Sequence, residues 1–195
     1  MRSAWARHRR LVAVMVVVVA GFLAYGLAID SALSVPYALT IVAGGLVAAA
    51  VEPEEGFSPV VLVGLSLWAV GHLAGGTISI GNGRTLYNAV LPGGVHADNV
   101  VHFVGFGTAG LAWWEATSPW LRPRSEHRVG VAVAVWLAGM GVGAFNEVVE
   151  FLSTLVLPET NVGGYRNTGR DLIANLLGAA VAGIIAARRR PDRSG

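Results

Sequence analysis

The chain contains no cysteine and no lysine, and little charge of either sign. Without thiols, disulfides, iron–sulfur clusters and thiolate zinc sites are excluded, and the sequence carries no mark of redox compartment. Charged residues make up 13% of the 195, against the roughly 25% of a soluble domain, while hydrophobic residues make up 54%. That balance places the chain in a membrane. Its formal charge of +2 rests on arginines that mostly adjoin apolar runs. Such arginines report membrane orientation, and the sequence offers no nucleic-acid footprint.

Six apolar segments have the length of spans: 11–29, 35–51, 57–75, 99–114, 129–157 and 171–187. The fourth and sixth fall at or below the short limit of ~17 to 25 residues. The runs lack the alternation of barrel strands, and backbone in hydrocarbon must satisfy its own hydrogen bonds, so each reads as a helix. The expected fold is all-α: a single integral membrane domain over 1–195, a polytopic bundle of six spans. The first run could be taken for a signal peptide ending near Gly26-Leu27-Ala28, but its 19 apolar residues exceed the usual apolar region of one.

Eleven of the fourteen arginines fall on one side of this arrangement: Arg2, Arg7, Arg9 and Arg10; Arg122, Arg124 and Arg128; Arg188, Arg189, Arg190 and Arg193. Arg84, Arg166 and Arg170 fall opposite. The positive-inside rule therefore predicts both termini in the cytoplasm of a multi-pass cell-membrane protein. Trp113, Trp114 and Trp120 suit an inner aromatic belt, and Glu115 beside them reads as solvated. Glu52 to Glu55 form an inner loop without a basic residue. The outer loop 76–97, rich in glycine, is expected to lack regular structure over much of its length, with one helical turn conceivable at Tyr87 and Leu91.

Against this background the ionisable residues inside the spans stand out. Counting ~1.5 Å per residue from the inner boundary puts Glu147 and His102 about 24 Å up, Asp171 roughly 26 Å and His72 roughly 21 Å. All four fall in the outer third of a ~30 Å core. Asp98 and His102, Asn146 and Glu150, and Asp171 and Asn175 are each four residues apart, and Glu147 and Glu150 three apart, so each pair shares a helix face. Below these stripes, Gly139 and Gly143, and Gly71 and Gly75, form GxxxG patterns suited to close packing. A charged residue near a helix centre costs ~2.5 to 3.5 kcal/mol, which predicts that the stripes meet rather than face lipid.

The ordered set HADNVVHFVGFGTAG, GAFNEVVEF and NTGRDLIANLLGA resembles the YjdF-like membrane proteins and, more loosely, the VanZ-like proteins. The resemblance covers about residues 95–185 and implies a helical bundle with an Asp-x-x-x-His helix, a glutamate-bearing helix and an Asp-x-x-x-Asn or Asp-x-x-x-Asp helix. These map to Asp98 and His102, Glu147 and Glu150, and Asp171 and Asn175. Glu-x-x-Glu-Phe favours the first family and Asn175 leans toward the second. YjdF-like proteins bring no settled activity, and VanZ-like proteins are associated with glycopeptide resistance.

Three readings stay open. In the first, the cluster is catalytic: Glu147 or Glu150 acts as acid or base, and His102 with Asp98 orients the reacting group of an envelope lipid or lipid-linked substrate. Two neighbouring carboxylates that differ in proton affinity suit that work. In the second, the protein is a transporter or binds an ion or small solute; in the third, the polar groups only fix helix register. Asp171, Asn175, Arg170 and His72 are the candidate binding residues. His72, alone on its helix, is as well explained by packing, and Arg166 with Arg170 by phosphate or carboxylate binding. His96 and His127 are expected to be exposed, and Asn167 or Thr168 to cap the last helix. Imidazole and carboxylates could together hold Zn²⁺ or Mn²⁺, but His-Glu-x-x-His and His-x-x-Glu-His spacings are missing, so no metal is assigned. The expected partner is membrane lipid; protein partners are unknown.

Overall fold

The structure, a computed structural model, describes residues 4–121, 127–157 and 160–189. Arg2, Arg122, Arg124, Arg190 and Arg193 lie outside the described residues. After a single turn, α1 (Ala4–Arg7), six long helices follow: α2 (Arg9–Ala28), α3 (Ser34–Val51), α4 (Pro59–Thr77), α5 (Ala97–Leu121), α6 (Arg128–Val156) and α7 (Tyr165–Arg188). The fold is all-α apart from a two-residue to three-residue hairpin described below. By length and composition, α2, α3, α4, α6 and α7 can cross a bilayer.

The helix over the fourth expected segment is longer than 99–114 and too polar to join those five. Its 25 residues carry Asp98, Asn99, His102 and Glu115 among glycines and tryptophans. Its polarity has a packing reason: α5 lies against α4, α6 and α7 and buries His102, Thr108 and Trp114. A helix screened by its neighbours need not be apolar all round. The last helix likewise begins at Tyr165, six residues before the expected start, which removes its apparent shortness.

Helices α5, α6 and α7 form the tight part of the bundle, and small residues set their spacing. Buried residues on α6 recur every four: Val135, Gly139, Gly143 and Glu147. On α7 they are Asp171, Ala174, Asn175, Gly178, Ala179, Ala182, Gly183 and Ala186, an inward stripe of helical period. Gly139 packs on Ala179 and the Phe106 carbonyl, and Gly143 on Asn175. Backbones touch where a Cβ on Gly107 would come within 2.8 Å of the Gly178 carbonyl. On α4, Gly71 packs against Val101 and Gly75 against the Tyr87 ring.

The two ends of the bundle differ in character. At one, Phe57, Val61, Leu111, Trp114, Val135, Ala182 and Ala186 make an apolar core. Trp114 is thus a core residue rather than part of a belt, while Trp120 is exposed. Glu115 is not solvated: it accepts from the Ser58 amide at 2.8 Å and the Ser58 hydroxyl at 2.6 Å, and pairs with Arg189. It ties the start of α4 to the end of α7. The acidic loop 52–55 finds its basic partners near the N-terminus, where Glu52 meets His8 at 2.5 Å and Arg7 at 3.6 Å, and Arg7 also donates to the Pro53 carbonyl.

The loop 76–97 is more ordered than its composition suggests. Strands β1 (Ser79–Gly81) and β2 (Arg84–Thr85) pair antiparallel, and Asn82 and Gly83 both take positive φ at the turn. A 3₁₀ turn at Leu86–Asn88 and a bridge between Val90 and His96 replace the helical turn expected at Tyr87 and Leu91. Helices α2 and α3 pack more loosely than the rest, and among the residues of α2 only Gly26 is buried. Between α2, α3 and α4 runs an apolar cleft of about 490 Å³, lined by Met15, Val19, Ile41, Gly45 and Trp68 among others.

Candidate functional site

Opposite the apolar core, the polar stripes of α5, α6 and α7 converge. Glu147 continues the four-residue stripe of Gly139 and Gly143, so the packing that draws α6 against α7 also carries this carboxylate inward. His102 enters from α5 and lies at the centre. Its Nδ1 is 3.1 Å from Asn175 Oδ1 and 3.5 Å from Glu147 Oε1; its Nε2 is 3.6 Å from Asp98 Oδ1 and 3.8 Å from Glu150 Oε1. The imidazole thus faces four polar groups through its two nitrogens, with Phe106 tilted beside the ring at 5.4 Å.

The aspartates are held by amides. Asp171, fully buried, accepts from Asn99 Nδ2 at 2.7 Å and Asn167 Nδ2 at 2.5 Å, and Asn167 also reaches Asp98 at 3.2 Å. Asn167 is therefore not a helix cap: Gly164 at positive φ precedes α7, and Asn167 sits inside its first turn facing the cluster. The glutamates are held less. Glu150 accepts from Asn146 at 2.7 Å, but neither oxygen of Glu147 has a hydrogen-bond donor among the described residues, and Asn175 Nδ2 is likewise unpartnered. Glu147 is 9% exposed, so water does not readily make up the deficit.

His72 belongs to an adjoining aromatic group and makes no direct bond to the cluster among the described contacts. Tyr37 packs edge-on to it at 4.9 Å, Trp68 stacks at 5.7 Å, and Tyr87 bonds to Nδ1 at 2.7 Å. Burial pushes the Tyr87 phenol well above its ordinary range, and the charges of Tyr37, Asp98, Glu150 and Asp171 push the same way. Tyr87 therefore stays protonated and donates to His72, and among the described residues the buried His72 Nε2 has no hydrogen-bond partner. Asn161 closes this side by donating to the Tyr37 hydroxyl at 2.9 Å.

Arg170 stands at the rim, exposed, with its guanidinium 3.3 Å from His96 Nε2. His96 is only half-exposed, because the bridge to Val90 holds it against the top of α5; His127 is exposed. Of the eight residues singled out in the sequence, six meet in one cluster, Arg170 borders it and His72 lies beside it. Asn99, Asn167, Tyr37, Tyr87 and Asn161 were not anticipated in these roles. Asn99 lies three residues before His102 and Asn167 four before Asp171, so their spacing alone carried a signal; the others come together only through the fold.

A family model described as "Predicted membrane protein (DUF2238)" matches residues 10–192. No curated protein and no solved structure matches the chain.

Proposed function

The chain belongs to the DUF2238 family of predicted membrane proteins, and from that premise we propose a six-span enzyme of the cell membrane whose outward-facing polar cluster acts on an envelope lipid or lipid-linked substrate. Several features support α5 as the sixth span. At ~1.5 Å per residue its 25 residues reach about 37 Å, more than the ~30 Å hydrocarbon core. Among the described residues, Arg7, Arg9, Arg10, Arg128, Arg188 and Arg189 gather toward the Glu52 and Glu115 end, with Arg84, Arg166 and Arg170 opposite. The positive-inside rule then puts the termini in the cytoplasm and the cluster toward the outer leaflet. The three motifs that resemble YjdF-like and VanZ-like proteins supply the cluster itself.

One observation carries the functional reading: Glu147 is buried, has no hydrogen-bond donor among the described residues and faces His102. A network built only to fix helix register would gain nothing by leaving its most buried glutamate unsatisfied. Glu147 or Glu150 acts as the acid or base, His102 with Asp98 orients the reacting group, and Asp171 and Asn175 hold the imidazole side of the site. Glu150, 28% exposed at its side chain, opens the cluster between the exposed apolar residues Val149 and Phe151. A substrate can therefore approach in the plane of the bilayer, with Arg166 and Arg170 at the rim for an anionic headgroup.

Lipid extracts from cells with and without the gene test this, with Glu147→Ala, Glu150→Ala and His102→Ala variants present at wild-type membrane level. A lipid species changed by the wild type and by none of the variants is expected. Unchanged lipids together with solute flux in proteoliposomes would replace the enzyme by a transporter. Loss of membrane yield in all three variants would leave a structural network.

A further inference from the structure

We propose that the cluster binds one first-row divalent cation, Zn²⁺ or Mn²⁺, through His102, Glu147 and Glu150. The inference rests on reading the cluster as a functional site, and it recasts His102, Glu147 and Glu150 as ligands of an ion in place of free acid, base and orienting groups. Distances supply the first argument. His102 Nε2 lies 3.6 Å from Asp98 Oδ1 and 3.8 Å from Glu150 Oε1, beyond the ~2.7 to 3.2 Å of a hydrogen bond, while Glu147 Oε1 stands 3.5 Å from the other ring nitrogen, Nδ1. Two atoms each ~2.0 to 2.1 Å from a tetrahedral ion are about 3.4 Å apart, so the gap between Nε2 and Glu150 is near that of two ligands around a metal. One ligand atom from each of His102, Glu147 and Glu150 lies within 4.8 Å of the others.

The second argument is independent of the first. Glu147 is more than nine-tenths buried, has no hydrogen-bond donor on either oxygen among the described residues, and points at His102. A protonated carboxyl would need an acceptor and a carboxylate would need donors or a cation. Among the described residues, none of these meets Glu147 with hydrogen-bonding geometry. The aspartates differ: Asp98, His102 and Asp171 also lie close enough to share an ion, but Asn99 and Asn167 occupy both oxygens of Asp171. They surround the site rather than lack a partner.

The neighbours of the three ligands match what metal ligands require. A ligating histidine donates its second N–H to a fixed acceptor, and here the fully buried Asn175 Oδ1 takes the Nδ1 proton, leaving Nε2 with its lone pair. Asn146 steadies Glu150 in the same way at 2.7 Å. Nitrogen and oxygen donors without sulfur suit Zn²⁺ or Mn²⁺.

The test uses full-length protein in nanodiscs, stripped with a chelator, reloaded with Zn²⁺ or Mn²⁺, desalted and analysed for metal by mass spectrometry. Wild type is expected to retain about one ion per chain, and Glu147→Gln and His102→Gln roughly tenfold less or below. Glu115→Gln, at the opposite end, should match wild type. If His102→Gln does not fold, the isosteric Glu147→Gln and the wild-type thermal midpoint decide: the midpoint should rise with Zn²⁺ or Mn²⁺ and not with Mg²⁺. Wild-type retention no higher than the stripped background with both ions, or unchanged retention in Glu147→Gln, would overturn the site. Metal content is read without turnover, so a metal-free protein that still alters lipids sinks only the cation, and a metal-loaded protein inert toward lipids sinks only the enzyme.

Discussion

Replacing Gly178 by alanine should drive α5 and α7 apart and disable the cluster from a distance. A Cβ at position 178 would collide with the carbonyl oxygen of Phe103, and one at Gly107 would stand 2.8 Å from the Gly178 carbonyl, so the helices meet backbone to backbone. Backbone cannot rotate aside as a side chain can. Alanine gains roughly 0.5 to 1 kcal/mol over glycine within a helix, whereas overpacking costs ~1 to 3 kcal/mol. The net expectation is destabilisation by about 1 to 2 kcal/mol. Phe103 adjoins His102, and Gly178 lies one turn from Asn175, so the same separation stretches the 3.1 Å contact between them past hydrogen-bonding range. Gly141→Ala is the control, since nothing lies within 4 Å of a Cβ there and only the helical gain remains. Thermal unfolding of both variants in one detergent, followed by tryptophan fluorescence, gives the comparison. A Gly178→Ala midpoint equal to or above that of Gly141→Ala would refute the reasoning.

Three further outcomes follow from other contacts. Glu115→Ala strands the Ser58 amide and hydroxyl and Arg189, and should lower stability by about 1.5 to 3 kcal/mol; combined with Arg189→Gln the losses should be less than additive in the same unfolding assay. Tyr87→Phe removes the donor to His72 Nδ1 and should cost ~1 to 3 kcal/mol. Because the Tyr87 phenol is raised above its unfolded value of ~10, its contribution is intact below that pH and is lost as pH rises through the folded value; ultraviolet titration should show wild type and variant ionising the same number of phenols in the ordinary range, with the extra phenol of wild type ionising only above it. Finally, the chain offers a cysteine-free background. With Ser79→Cys and Glu55→Cys, a membrane-impermeant maleimide added to intact cells should label only the first, and the reverse pattern would invert the proposed orientation.

Much of this was legible from residue order, and what was not has identifiable causes. The stripes on three helices could be read because four-residue spacing alone puts Asp98 over His102 and Asp171 over Asn175. That Glu147 points inward was expected from the cost of leaving it in lipid, and its register one turn beyond Gly139 and Gly143 carries the same signal. The role of Asn167 was hidden because an asparagine near a helix start fits a cap equally well, and Gly164 decides between the two only through its φ. Glu115 was misread since its partners, Ser58 and Arg189, are 57 and 74 residues away. Composition made α5 look short because apolarity measures exposure to lipid, and α5 is exposed mostly to other helices.

The cleft between α2, α3 and α4 has a bearing on how the protein should be handled. Its walls offer carbon almost throughout, so inside a bilayer the matter that fits there is hydrocarbon, and acyl chains become part of the packing that keeps the N-terminal pair of helices in place. Solubilisation then exchanges one filler for another, and the length of the detergent tail becomes a structural variable for this end of the molecule.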